Sequence, residues 1–276
     1  MPSVARTPAF GGMAGRKAGI IGAVLLSAML ISALLAPLLA TADPFAIIGP
    51  SLAAPSLDYL MGTDALGRDL FSGVLYGTRT SLLIATAVGL LATACGVTIG
   101  ITAGYLGGSA DDLLMRITEL FQVLPRFILV AVIIALLGPG LDRVVLTLGL
   151  TSWPVLARVV RGEVLATRNL DFVLSAEALG ATRVRIFSRV LLPQVMPSVL
   201  VLVALMLGQV LLLEASLGFL GLGDPNTLTW GMLAGQAQGY LRAAWWLPLF
   251  PGLAITLTVL GFNLFADGLS AALQRR

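Results

Sequence analysis

Hydrophobic residues occur along this chain in long blocks separated by short polar stretches. The first block, residues 18–40, is apolar throughout, and a helical bilayer span takes about 20 such residues. The same pattern predicts a second span over residues 81–105, a fourth over 144–160, a fifth over 195–217 and a sixth over 247–265. Between the second and fourth the pattern changes. Leu113, Leu114, Ile117, Leu120, Phe121 and Leu124 keep helical spacing, while Asp111, Asp112, Arg116 and Glu119 take the other side. This amphipathic stretch reads as an interfacial approach to a third span ending at Leu137, with Pro125 as a kink. Gly138-Pro139-Gly140 is a turn, and Pro154 is tolerable inside a membrane helix.

The polar stretches divide the chain. Residues 1–17 form a basic, Gly-rich tail, and 18–40 the first span, ending at Ala40-Thr41-Ala42. That triplet also resembles a signal-peptide cleavage site. The apolar run exceeds the roughly 7–15 residues of a signal h-region, so an uncleaved span is the preferred reading. Residues 41–79 are turn-rich and too polar to cross. Residues 80–270 form a core domain with a large basic loop at 161–193, and 271–276 form a second tail. Gly96, Gly100 and Gly104 share one helix face, either as a packing seam or because glycine is common in membrane helices. Trp230, Trp245 and Trp246 suit an interfacial belt.

Composition narrows the class. Hydrophobic residues make up 58% and charged residues 11% of the 276, against about 25% charged in soluble domains. An all-α, polytopic membrane protein with six transmembrane helices follows. Histidine is absent and Cys95 is the single cysteine, which excludes histidine proton relays, Ser-His catalysis and Cys-cluster metal sites. Lys17, the only lysine, follows Arg16, so the Gly-Lys pair of a phosphate-binding loop is missing. No cofactor or metal is expected in this chain, and any ATP is bound by another. The net charge of +3 needs no nucleic-acid partner.

Placing the N-terminus in the cytoplasm puts thirteen basic residues inside: Arg6, Arg16, Lys17, Arg116, Arg126, Arg158, Arg161, Arg168, Arg183, Arg185, Arg189, Arg275 and Arg276. Four lie outside: Arg68, Arg79, Arg143 and Arg242. The positive-inside rule therefore predicts both termini in the cytoplasm.

Residues 171–197 read DFVLSAEALGATRVRIFSRVLLPQVMP. They give an Ala-rich helix, a turn at Gly180, a short basic helix with Arg183, Arg185 and Arg189, then Leu192-Pro193. This resembles the "EAA" coupling loop of binding-protein-dependent ABC importer permeases. Three further stretches extend the resemblance to the oligopeptide/dipeptide/nickel permeases, specifically their second, C-type subunit. They are Met61-Gly-Thr-Asp-Ala-Leu-Gly-Arg-Asp-Leu-Phe-Ser72 with the following GTRTSL, Glu214-Ala-Ser-Leu-Gly-Phe-Leu-Gly-Leu-Gly223, and Phe262-Asn-Leu-Phe-Ala-Asp-Gly-Leu269.

The resemblance implies a type I importer fold in a bacterial inner membrane. It implies a homologous second permease, two ATP-binding subunits that hold ATP and Mg, and an extracytoplasmic solute-binding protein. Ala176, Glu177, Gly180, Arg183, Arg185 and Pro193 then couple the chain to the ATPase. Aligned on Gly180, the family glutamate falls on Leu174, so its contact does not carry over. Gln209 and Glu214, placed on a shared face of the fifth span, either line the path or, for Glu214, fix a loop. Gly62, Thr63, Asp64, Gly67, Arg68 and Asp69 form the outer signature, and Asp64, Arg68 and Asp69 order it as an ion network or face a docked binding protein. Asn263 and Asp267, at the inner end of the sixth span, are expected to cap it or to contact a loop. Peptides, nickel chelates and glutathione all remain open as cargo. A secondary transporter would show an inverted repeat and ionisable groups at mid-membrane in several spans. An intramembrane enzyme would need catalytic groups the chain lacks.

Overall fold

The computed structural model describes residues 10–273, with side chains from Gly15 onward. Its helices follow in order: α1 (Phe10–Leu34), α2 (Ala36–Leu39), α3 (Leu70–Leu106), α4 (Gly108–Val123), α5 (Arg126–Leu137), α6 (Leu141–Thr167), α7 (Asp171–Ala178), α8 (Arg183–Ile186), α9 (Leu192–Phe219), α10 (Trp230–Gln236) and α11 (Trp246–Leu273). A π turn, Phe187–Leu191, runs α8 into α9, and a 3-10 turn follows α10. Among the described residues, strand pairing is confined to two isolated bridges, Ile47 with Arg68 and Thr63 with Asp69.

Among the described residues, five stretches are long and apolar enough to cross a membrane: α1, α3, α6, the continuous α8–α9 run and α11. The sixth is the pair α4 and α5, bent by 83°. At 12 residues α5 is only about 18 Å long, short of a hydrocarbon core of about 30 Å. The expected kink is thus a full break. Pro125 lacks an N–H and pushes Leu124 into extended backbone, at ψ 137°.

Several boundaries differ from the sequence reading. Helix α1 already runs through Gly15-Arg16-Lys17, and it breaks at Leu35, just ahead of Pro37. Arg6, Arg275 and Arg276 lie outside the described residues. Helix α3 starts at Leu70 rather than near residue 81, because Asp69 caps it. The Asp69 carboxylate accepts from Ser72 N at 2.9 Å and Ser72 Oγ at 2.6 Å. Hydropathy alone misses that start. Helix α6 continues to Thr167, so the loop proper is residues 168–182. Asn263 and Asp267 are exposed inside α11 and cap nothing.

Helix α3 lies along α6, and Gly96, Gly100 and Gly104 form the seam. A Cβ on Gly100 would meet Ala157 O at 2.6 Å. The spacing is therefore a packing device. Helix α1 lies along α11 in the same way, where a Cβ on Gly19 would meet Gly268 Cα at 2.7 Å. Thr41 Oγ1 donates to Asp69 at 2.6 Å, joining the segment just after α2 to the start of α3. The molecule thus has a far end holding residues 40–69, and a loop end where α1 starts, α3 and α11 stop, and the 168–182 loop sits.

At the far end Asp64 accepts from the N–H groups of Leu66 and Arg68, both at 2.8 Å. Thr63 is fully buried, donating to Pro50 O at 2.6 Å and accepting from Ala53 N at 2.8 Å. Gly62 and Gly67 hold φ of +78° and +77° at the turns. The Arg68 guanidinium lies over the Phe45 ring, 5.7 Å from its centre. The signature is ordered by carboxylate-to-backbone bonds, and the expected ion network among Asp64, Arg68 and Asp69 is not formed. The only ion pair among the described residues joins Asp111 and Arg161. Two of the three belt tryptophans are interior instead. Trp230 donates to Val74 O and Trp246 to Thr63 O, both at 3.2 Å, while Trp245 is exposed. A satisfied indole N–H permits that burial.

Candidate functional site

The loop between α6 and α9 is built as a compact two-helix element. Asp171 sits in the first turn of α7, where a negative charge suits the helix dipole. Helix α7 stops at Gly180, which holds φ +77°. Ala181 N donates to Ala176 O at 3.0 Å and Gly180 N to Glu177 O at 2.9 Å, which satisfies the last carbonyls of the helix. Thr182 then caps α8 through its hydroxyl. Pro193 has no N–H for the carbonyl four residues back, and the π turn immediately precedes it. The second loop helix is the leading end of one helical stretch, residues 183–219, that continues as α9.

One face of this element is fixed to the spans. Val173, Ile186 and Leu191 are buried with Val160, Val164 and Ile101 in a second apolar core. Tyr105 meets Phe187 edge-on, with ring centres 5.1 Å apart. Tyr105 Oη donates to Glu177 Oε1 at 2.6 Å, and Arg168 Nη1 donates to Gly104 O at 3.0 Å. A cavity of about 330 Å³ opens between Tyr105, Arg168, Leu174, Glu177 and Arg183. Glu177 thus has a specific partner that its local pattern does not predict, since Tyr105 lies 72 residues away.

No described residue covers the opposite face. Leu179 is 87% and Val184 76% exposed, and Arg183, Arg185, Arg189 and Pro193 are exposed beside them. An apolar ridge flanked by arginines is unusual on a surface meant for water.

Glu214 lies buried in α9, hydrogen-bonded with Thr229 and Ser81. Ser81 Oγ also accepts from Trp230 N at 3.2 Å. Glu214 therefore ties α9 to α3 and to the start of α10. Gln209 is exposed on another face of α9, so the two do not share one.

Sequence reading missed one charged group. Arg126 was counted with the inner basic residues, but its Nη2 donates to Ser152 Oγ in the middle of α6. A lone arginine immediately after Pro125, opening a wholly apolar helix, was the signal for it.

The chain matches the family model described as the binding-protein-dependent transport system inner membrane component, over residues 96–276. It belongs to that family. The permease is 36% identical over 264 residues to the dipeptide transport system permease protein of Bacillus subtilis (strain 168), covering 94% of this chain and 82% of that one. It is 37% identical over 265 residues to the di/tripeptide transport system permease protein of Pseudomonas aeruginosa (strain UCBPP-PA14), at 93% and 88% coverage. Among solved structures it resembles a chain of the MetNI methionine ABC transporter in an inward-facing conformation. That match has a TM-score of 0.60 at 20% identity, over 74% of this chain and 97% of that one. The permease therefore has the helical fold of an ABC importer membrane subunit, and it is the inner-membrane component of a binding-protein-dependent transport system.

Proposed function

We propose that the permease forms half of an alternating-access path for peptides or related small solutes. A homologous second permease supplies the other half. Two ATP-binding subunits hold ATP and Mg and dock on the loop between α6 and α9, and an extracytoplasmic solute-binding protein delivers cargo at the far end. Both termini and the loop then face the cytoplasm. The observation that carries this reading is the two-sided loop. One face is locked to α3 and α6 by Val173, Ile186 and the Tyr105–Glu177 bond. The other presents Leu179, Val184, Arg183 and Arg185 with no described residue covering them. Since α8 and α9 form one helical stretch, a push on that face is carried directly into a span. The peptide class is supported by the two permease relatives named above.

The test is the reconstituted complex, with uptake and ATP hydrolysis measured together. Leu179→Asp with Val184→Asp should prevent stable ATPase association while the chain still inserts. Full association and normal uptake in that double variant would refute the docking role.

A further inference from the structure

We propose that Arg126, at the α4–α5 break, is an anion site within the membrane that receives the carboxylate of the transported solute. This rests on the peptide reading above and adds the chemical group recognised. Depth comes first. Ser152, which accepts from Arg126 Nη2, lies about 17 Å along α6 from its far-end start and about 13 Å from Arg161. Asp111 of α4 pairs with that Arg161 at 2.5 and 2.6 Å, and Phe121 meets Trp153 with ring centres 5.5 Å apart. Helix α4 therefore climbs along α6 from the loop end, and the break falls near half depth.

Charge comes next. No carboxylate lies within 4 Å of Arg126, since Asp111–Arg161 is the only ion pair among the described residues. Its Nε is buried without a partner. A cation at the first turn of α5 also faces the positive pole of that helix. An unpaired intramembrane arginine in that position is costly, and such groups mark ion and substrate pathways.

Surroundings come last. The backbone at Leu124-Pro125 is not helical, and Val123, Leu124 and Pro125 are exposed from this chain. Broken backbone at membrane depth is tolerated only inside protein or beside water, never against lipid. The break therefore faces the second subunit or the aqueous path. Helix α1 packs against α11 and α3 and presents exposed apolar residues that suit lipid. A guanidinium offers a carboxylate a planar, two-pronged set of donors, which Lys cannot copy.

The experiment uses the full complex in proteoliposomes, with a pool of alanyl di- and tripeptides as probe. Arg126→Gln should retain the second permease on purification and lower peptide uptake at least tenfold. Arg126→Cys on a Cys95→Ser background should be similarly impaired after assembly. A cationic trimethylammonium-ethyl thiol reagent should restore its uptake about fivefold, and a neutral hydroxyethyl reagent should not. Peptide should also slow the labelling of that cysteine. Unchanged uptake in Arg126→Gln, equal rescue by both reagents, or no protection by peptide would overturn the site. Loss of the second permease from Arg126→Gln would overturn it in favour of a counter-charge from that subunit. Failure of the wild-type complex to move any alanyl peptide would instead refute the peptide reading, and this site with it.

Discussion

Gly180 has open space around it, with nothing within 4 Å of where a Cβ would stand. A substitution there meets only backbone strain within this chain, at φ +77°. Left-handed backbone costs an L-residue about 1–2 kcal/mol, and a β-branched residue fares worst. Gly180→Ala should leave the spans inserted and weaken coupling mildly, and Gly180→Val should reduce transport relative to ATP hydrolysis severalfold. Equal uptake-to-hydrolysis ratios in wild type and Gly180→Val would exclude this turn from coupling. Glu177 presents a smaller stake. Its bond to Tyr105 is worth about 1 kcal/mol, so Glu177→Ala should impair transport less than Gly180→Val. Tyr105→Phe should match Glu177→Ala, because both delete the same bond. Different phenotypes for those two variants would mean that Glu177 acts through another group. Charge reversal at Arg183 and Arg185 should cause a loss that changes with ionic strength, since both are exposed and screened.

At the scale of elements, α4 is held to α6 by one two-pronged pair, Asp111–Arg161. Asp111 is largely buried while Arg161 is a third exposed, so breaking the pair should cost less than the roughly 3–5 kcal/mol of a fully buried one. Asp111→Asn should lower the melting temperature of the complex, and the swap of Asp111→Arg with Arg161→Asp should recover part of the loss. No shift in Asp111→Asn would show that α4 is held by its apolar contacts alone. The elements also show what a sequence makes legible. Apolar runs located the spans because bilayer thickness fixes their length, and Gly180 located the loop turn because only positive φ ends α7 that way. The start of α3 was hidden because an Asp69 cap carries no hydropathy signal. The burial of Trp230 depends on Val74 and Ser81, about 150 residues away. The depth of Arg126 depends on the direction in which α4 runs, which periodicity does not contain.

For the whole molecule the decisive quantity is which way it sits in the membrane. Among the described residues, moving Arg126 to the break leaves nine basic residues on the loop side against four on the far side, so the charge bias survives the correction. The structure groups the tested positions independently of charge. Ser56 and Asn226 are exposed at the far end, and Ser188 is exposed at the loop end. All three are therefore open to reagent, and a failure to label reports sidedness rather than burial. On the Cys95→Ser background, single cysteines at Ser56 and Asn226 should react with an impermeant thiol reagent in intact cells. A cysteine at Ser188 should react only after the membrane is opened. Labelling of Ser188 in intact cells, with Ser56 silent, would invert the permease, place its arginine-flanked ridge outside, and remove the ATPase from its proposed seat.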